Sequence, residues 1–167
     1  KQFDKAINYR YRFINYKLKK QHNYGIGEGY RYLADIYANK EDLDSAITNY
    51  KKAINYYVKS SAPRHQLMLV LLANTYYRNN QFNQAKRTID KLFEKNDKPK
   101  DLYATYIGSK IGSKIYKKTG DLSKSIKCFE DYININDSLN KNQEAQIVLQ
   151  NSIASELQKE HQKLIFV

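Results

Sequence analysis

A five-residue pattern recurs four times along this chain at a nearly constant interval. Each copy begins with leucine or phenylalanine and carries alanine or serine at its fourth position. The copies are FDKAI at 3–7, LDSAI at 43–47, FNQAK at 82–86 and LSKSI at 122–126, separated by 40, 39 and 40 residues. A period of about 20 to 50 residues is typical of proteins built from stacked repeats. We therefore expect a repeat protein, in which each unit packs mainly against its neighbours.

Residues on both sides of the small fourth residue keep the same spacing from unit to unit. Twelve and nine positions before it stand Ala34, Ala73 and Ser113, then Tyr37, Tyr76 and Tyr116. Four and seven positions after it stand Tyr50, Ile89 and Phe129, then Ala53, Leu92 and Tyr132. Steps of three, four and seven place these residues on one face of a helix. We therefore predict that each unit forms two antiparallel helices that pack closely at their small residues.

Polar stretches at 39–42, 78–81 and 118–121 separate the two predicted helices of each unit. Asp42 and Asp121 stand where a helix needs an N-cap, and Gly120 suits a left-handed residue at a helix end. Pro63 and Pro99 stand where the first helix of the next unit would open. Together these residues predict where the helices begin and end.

The order of these residues resembles the consensus of the tetratricopeptide repeat. The first unit matches most completely, at Leu33, Ala34, Tyr37, Leu43, Ala46, Tyr50 and Ala53. The family's period is about 34 residues, so a period near 40 implies helices roughly one turn longer, at about 3.6 residues per turn. The resemblance implies an all-α fold, a right-handed α-solenoid of antiparallel helix pairs that binds proteins or peptides.

The repeat phase divides the chain into a half repeat at 1–24, three repeats at 25–62, 63–98 and 99–137, and a C-terminal segment at 138–167. The half repeat has only a second helix, so we expect further repeats upstream. Leu149, Ile153, Leu157 and Leu164 share one helical face of the last segment. This pattern predicts an extra amphipathic helix that caps the solenoid or links it to another module.

The net charge of +12 raises nucleic acid or an acidic membrane surface as partners. However, 23 lysines stand against six arginines, and arginine is the residue favoured for bidentate contacts with bases and phosphates. The abundance of lysine, asparagine, isoleucine and tyrosine is also what an AT-rich coding sequence yields. A nucleic-acid-associated basic helical repeat therefore remains the alternative function. The longest apolar run, the seven residues at 67–73, is too short for a membrane span, which needs about 20.

No set of residues has the spacing of a catalytic or metal site. We expect Cys128 to be a small core residue and the carboxylates of Glu28, Asp35 and Glu41 to lie on solvated helix faces. Glycines alternate at 25, 27 and 29, but no apolar strand precedes them, so we predict a turn there and not a phosphate-binding loop. The histidines are scattered along the chain, at His22, His65 and His161. The sequence thus predicts no enzyme, no cofactor and no metal.

One group of residues is a candidate ligand site. In tetratricopeptide-like folds the first helix of each unit lines a concave groove, and outward positions on these helices are Arg31, Asp35, Asn74, Tyr77, Arg78, Lys110, Lys114, Lys117 and Lys118. Lys110, Lys114 and Lys117 follow at steps of four and three, so one helix face presents three positive charges. A charge run is commonly only a solvated face. The functional alternative is recognition of an acidic peptide or a terminal carboxylate.

The end of the repeat region, at 128–150, is similar to a narrower family, the tetratricopeptide sensor regulators of the Bacteroides type. The string Asn136, Asp137, Ser138 and Leu139 carries the local similarity. This resemblance implies that the chain is the ligand-sensing part of a larger bacterial regulator. It also implies that 164–167 begins a membrane span and that the repeats lie on the periplasmic side, with the cytoplasm as the alternative.

Overall fold

The computed structural model describes residues 2–62, 64–94 and 101–165, and within these ranges every regular element is an α-helix. The helices are α1 (Gln2–Lys19), α2 (Asn23–Asn39), α3 (Leu43–Lys59), α4 (His65–Arg78), α5 (Phe82–Phe93), α6 (Leu102–Lys118) and α7 (Leu122–Ile165). The prediction of an all-α fold is confirmed.

The helices stack in the order that the repeat phase predicts. α2 packs on α3, α4 on α5 and α6 on α7, which gives three antiparallel pairs. The second helix of each pair also packs on the first helix of the next, in the contacts α1–α2, α3–α4 and α5–α6. The first helices α4 and α6 contact each other as well. This repeated arrangement is an α-solenoid.

Each three-residue turn from one helix to the next within a pair, and the turn before α2, contains a residue with left-handed backbone. These residues are Gln21, Glu41, Asn80 and Gly120, with φ of 51°, 62°, 56° and 82°. The predicted role of Gly120 is therefore confirmed, and the other three turns adopt the same conformation without glycine. The predicted N-caps are also confirmed, since the Asp42 and Asp121 carboxylates accept from the backbone N–H groups of Ser45 and Lys124 at 3.1 and 3.3 Å.

Small residues occupy the close contacts between paired helices. Ala34, Ala46, Ala73 and Ala85 are completely buried. In the third pair two serines take these positions, and the Ser125 hydroxyl donates to the Ser113 carbonyl oxygen at 2.8 Å. The hydrogen bond satisfies a hydroxyl that a tight helix contact would otherwise leave without a partner.

The predicted turn at Gly25, Gly27 and Gly29 is wrong, because all three glycines are buried inside α2. The chain turns earlier, at 20–22, where the His22 imidazole Nδ1 accepts from the Gly25 backbone N–H at 2.9 Å. The glycines instead allow close packing. A Cβ on Gly29 would lie 2.4 Å from Ile14 Cγ1, and one on Gly27 would lie 3.1 Å from the Tyr57 ring.

The pattern predicts Cys128 and Phe129 in the core of the third unit, and only Cys128 is buried there. Phe129 is 56% exposed, whereas the equivalent Tyr50 and Ile89 are buried. The reason is that Tyr50 and Ile89 lie on α3 and α5, each of which is packed against the first helix of a following pair. Among the described residues no helix packs in this way on α7.

The C-terminal segment does not form a separate helix. α7 runs from Leu122 to Ile165 without a break at the expected boundary near 138. Neither proline nor glycine occurs between 121 and 165, so nothing in the sequence interrupts the helix. The side chains of Leu149, Ile153, Leu157 and Leu164 lie outside the described part of the chain, so the predicted cap stays a prediction.

Pro63 and Pro99, predicted to open helices, also lie outside the described residues. The same holds for Phe166 and Val167, which belong to the segment 164–167 where a membrane span is expected to begin. In the part of the chain that is described, no helix is both long and apolar enough to cross a membrane.

Candidate functional site

The predicted groove residues lie on the first helix of each of the three helix pairs. They are Arg31 and Asp35 on α2, Asn74, Tyr77 and Arg78 on α4, and Lys110, Lys114, Lys117 and Lys118 on α6. α4 and α6 pack closely at Gly108, where a Cβ would lie 3.3 Å from Val70 Cγ2. α2 and α4 are joined by two arginines. Arg64 lies 3.5 Å from the Glu28 carboxylate, and Arg78 donates to the Ala38 carbonyl at 3.2 Å.

On α2, Arg31 and Asp35 are held in an intramolecular ion network. The Arg31 guanidinium lies 3.3 Å from Glu28 and 3.0 Å from Asp35. Asp35 also accepts from the Tyr50 hydroxyl at 2.6 Å, and Glu28 accepts from the Tyr57 hydroxyl. The expectation that Glu28 and Asp35 are solvated is therefore wrong, because they are half-buried and bonded to α3. Glu41 is exposed, as expected, and its carboxylate lies 2.8 Å from Arg78.

The network perturbs the acidity of its members. Burial raises the pKa of Tyr50 and of Tyr57 far above the ordinary value, and the Asp35 and Glu28 carboxylates raise these pKa values further. Burial opposes the charged form of Arg31, but the neighbouring Glu28 and Asp35 outweigh it and raise the pKa of the guanidinium. Both tyrosines thus stay neutral donors to anionic carboxylates. With Arg31 and Arg64 beside Glu28 and Asp35, the charges of this network are balanced.

On α4, the predicted residues differ in their surroundings. The Arg78 guanidinium donates to the Glu41 carboxylate and to the Ala38 carbonyl oxygen at the end of α2. Asn74 and Tyr77 are half-buried, and the Tyr77 ring meets the Phe82 ring edge-on, with 5.6 Å between centroids. The Lys118 Nζ lies 5.1 Å from the centroid of the same Phe82 ring. Phe82 therefore connects Tyr77 to the basic end of α6.

On α6, Lys110, Lys114 and Lys117 are exposed, and we call these three the α6 lysine row. Within the described ranges, the lysines that form ion pairs are Lys86 and Lys124, and no member of the row does so. The Lys110 Nζ lies 5.6 Å from the Tyr132 ring centroid, a cation–π distance. The row is thus a set of cations whose charge is not neutralised by a carboxylate of this part of the chain.

Sequence reasoning missed three participants in this surface. Glu28 stands three residues before Arg31, a spacing that could have indicated an ion pair within the helix. Phe82 and Tyr132 belong to the repeat pattern, which marks them as packing residues. Their contacts with lysines of α6 depend on how successive helices are placed.

A separate cavity of about 720 Å³ lies between α5 and α7, lined by Asp90, Phe93, Glu94, Tyr116, Lys124, Lys127, Cys128 and Asp131. Burial raises the pKa of the Cys128 thiol to about 11, and Asp131 adds to the shift. The thiol is therefore protonated at neutral pH, as a structural cysteine is. Among the described residues no cluster of His, Cys, Asp and Glu could hold a metal ion.

Comparison with known proteins agrees with this architecture. Residues 33–57 and 111–139 match the family model of the tetratricopeptide repeat. These segments cover most of the first pair and most of the third pair as far as 139. Two segments of the chain are therefore similar to tetratricopeptide repeats, and they lie in the all-α solenoid that the sequence predicts.

Several solved structures share the fold, and two of them illustrate the likeness. The crystal structure of BtubC (BKLC) from P. vanneervenii is similar with a TM-score of 0.70 and 16% identity, over 83% of this chain and 58% of that chain. This chain thus spans little more than half of that protein's structure. The crystal structure of the nearly identical TPR-like repeats of a putative kinesin light chain from Podosopora anserina is similar with a TM-score of 0.60 and 14% identity, over 83% and 69%. No curated protein matches the sequence. At these identities the likeness concerns the fold alone.

Proposed function

We propose that this chain is a protein-binding scaffold that holds an acidic peptide against α6. The observation that carries the proposal is the α6 lysine row, three exposed cations on one helix face that have no carboxylate partner among the described residues. A helix surface that only needed solubility would commonly intersperse both signs of charge. From Leu102 to Lys118 α6 has no acidic residue at all.

The neighbouring α4 supplies the other chemistry that a peptide needs. The Asn74 amide can both donate to and accept from a peptide backbone. The Tyr77 ring offers an apolar surface beside Phe82 and Lys118. Because the acids and bases of α2 already neutralise each other, an acidic peptide gains less from the first repeat than from the third. The proposed site is therefore Asn74, Tyr77 and the α6 lysine row.

The test is binding of a labelled aspartate- and glutamate-rich peptide to the wild type and to two matched double variants. One variant is Lys114→Glu/Lys117→Glu, and the control is Lys51→Glu/Lys52→Glu on α3, which makes the same change in net charge. Exposed ion pairs contribute roughly 0.2 to 1 kcal/mol each, so reversing two charges should weaken binding about tenfold. The control should retain most of the affinity, and the wild-type affinity should fall with added salt.

Equal losses in the two double variants would reduce the site to nonspecific attraction of polyanions and would overturn the proposal. A duplex DNA probe is the second arm of the experiment. If DNA bound more tightly than the peptide and lost affinity in both variants, the nucleic-acid alternative would replace the peptide proposal.

We further propose that the scaffold is the ligand-sensing domain of a larger bacterial regulator. The resemblance at 128–150 supports this context, and the length of α7 is suited to linking the repeats to another module. Sequencing the complete reading frame tests it. A membrane span and an effector domain after Val167 are expected, and a frame that encodes neither would contradict this context while leaving the peptide site intact.

A further inference from the structure

An apolar stripe runs along α7 on a face that no described helix covers. Its members, Leu122, Ile126, Phe129 and Ile133, are 61%, 60%, 56% and 38% exposed, and we call them the α7 stripe. The face of α7 that packs on α6 is a different one. It carries Ser125, bonded to Ser113, and Tyr132, whose ring stacks on Tyr106. At about 100° per residue, the stripe lies about a quarter turn round the helix from this packed face.

The repeat register identifies what kind of face this is. One unit earlier, Phe129 corresponds to Ile89, and two units earlier it corresponds to Tyr50. Ile126 corresponds to Ile47 in the first unit. All three earlier residues are buried, in a solenoid where α3 packs on α4 and α5 packs on α6. The α7 stripe therefore continues the internal interface of the solenoid and presents it to a further helix.

The α6 lysine row belongs to the same end of the solenoid. Two repeats earlier, Lys110 and Lys117 correspond to Arg31 and Ala38 of α2. Ala38 is buried, and its carbonyl oxygen accepts from Arg78 of the next first helix at 3.2 Å. The C-terminal end of α2 is therefore covered by the following first helix, α4. In the part of the chain that the structure describes, no first helix follows α6, and Lys110 and Lys117 are exposed.

The stripe and the lysine row border each other. The Lys110 Nζ lies over the ring of Tyr132, the residue that directly precedes Ile133 of the stripe. The opposite side of α7 faces the preceding repeat instead, since the Lys124 Nζ lies 2.8 Å from the Asp90 carboxylate of α5. The third repeat therefore ends in a surface that is apolar along α7 and basic along α6. We call this surface the end face.

A second copy of this chain fits the end face poorly. If two α7 stripes packed antiparallel around a two-fold axis, both α6 helices would lie on the same side of the seam. The lysine rows of the two copies would then face each other. Like charges brought together at an interface oppose association. The charge of the end face therefore favours an acidic partner over self-association.

From this geometry we infer that the end face binds an amphipathic helix of a partner protein, whose apolar side covers the α7 stripe and whose acidic residues meet the α6 lysine row. The inference rests on the proposed recognition of acidic peptides and specifies the form in which such a peptide binds. A helix is the expected form because the equivalent surfaces of the first two repeats are each covered by a helix. Recognition of one apolar helix face by a complementary surface is a common mode of peptide binding.

The first test uses two synthetic peptides of about 18 residues, roughly five helical turns. One carries leucines at alternating steps of three and four with glutamates along one flank. The other has the same composition in an order without an apolar face. We expect the amphipathic peptide to bind at least tenfold more tightly and to gain helical circular dichroism when it is mixed with the chain. Equal binding of the two peptides would overturn the inference.

The second test removes apolar character from the stripe without changing net charge. Ile126→Gln should weaken binding of the amphipathic peptide about tenfold, because a buried aliphatic contact is lost. Val58→Gln on α3 is the matched control, since Val58 is 58% exposed and lies on another repeat. It should leave the affinity unchanged. Equal effects of the two substitutions would exclude the stripe, even if the lysine reversals still weakened binding and supported the proposed function.

The third test exchanges the charges. A peptide with lysines in place of its glutamates should bind the wild type at least tenfold more weakly and should recover on Lys110→Glu/Lys117→Glu. If the lysine peptide bound the wild type equally well, the acidic character of the partner would be wrong, and the proposed function would fail with it. Sedimentation velocity of the chain alone should show a monomer. Dimers that Ile126→Gln dissociates would mean that a second copy covers the stripe, which would also overturn the inference.

Discussion

The Tyr116 hydroxyl of α6 donates to the Asp90 carboxylate of α5 at 2.9 Å and so joins the third repeat to the second. Tyr116 is almost completely buried, whereas Asp90 also meets the Lys124 ammonium at 2.8 Å. The same pairing of a buried phenol with a half-buried carboxylate recurs in the first repeat, in Tyr50 with Asp35 and Tyr57 with Glu28. These bonds give the solenoid polar connections that its small apolar contacts alone do not provide.

Removing one phenol oxygen tests the contribution of this bond. We expect Tyr116→Phe to lower the free energy of unfolding by about 1.5 to 3 kcal/mol, the range for hydrogen bonds to charged groups. Urea denaturation measures it. Tyr103→Phe is the control, because Tyr103 is exposed and the loss of its hydroxyl should change stability little. Similar effects of the two substitutions would show that the Tyr116–Asp90 bond contributes nothing.

Stability should also fall in alkali. Burial raises the pKa of Tyr50, Tyr57 and Tyr116 in the folded state, with the adjacent carboxylates adding to the shift. In the unfolded chain these groups ionise near pH 10. Their contribution is therefore complete below about pH 10 and is lost as the pH rises toward the folded-state pKa values, by up to about 1.4 kcal/mol per pH unit for each tyrosine.

Urea midpoints of the wild type and Tyr116→Phe between about pH 8 and pH 11 measure this dependence. The variant has one buried phenol fewer, so its stability should decline less steeply above about pH 10. Parallel declines would contradict the role of Tyr116 in the alkaline loss.

Close helix packing in the first repeat predicts the effect of a larger side chain. Ala46 of α3 is completely buried. Ala46→Leu should therefore overpack the contact and lower the free energy of unfolding by about 1 to 3 kcal/mol. Lys52→Ala, at an exposed position of the same helix, should change stability much less. Denaturant midpoints compare the two, and an unchanged midpoint for Ala46→Leu would mean that the contact can accommodate a leucine.

A glycine gives a complementary test at the contact between α1 and α2. Alanine favours a helix over glycine by about 1 kcal/mol, yet a Cβ at position 29 would lie 2.4 Å from Ile14 Cγ1. Gly29→Ala should therefore destabilise the wild type. In an Ile14→Ala background, which removes the clashing atom, the same change should be neutral or stabilising. A double-mutant cycle measures this coupling, and additive effects would show that the clash is relieved in some other way.

Much of the fold follows from local sequence patterns. The spacing of small residues and tyrosines predicts the helix pairs. Asp42 predicts the turn before α3, and Gly120 and Asp121 predict the turn before α7, because capping and left-handed backbone depend on neighbouring residues. The glycines at 25–29 mislead the same reasoning. Glycine serves both turns and close helix contacts, and only the position of Ile14 and Tyr57 shows which of the two applies.

The candidate site divides in the same way. The sequence by itself determined that Lys110, Lys114 and Lys117 share one face of a helix, since helical geometry fixes which residues lie side by side. Only the tertiary structure decided that Arg31 is held by Glu28 and Asp35, and that Phe129 is exposed while its equivalents in earlier repeats are buried. Whether a charge is neutralised or an apolar side chain is covered depends on which helices pack around it, and those neighbours are set by contacts between residues far apart in the chain.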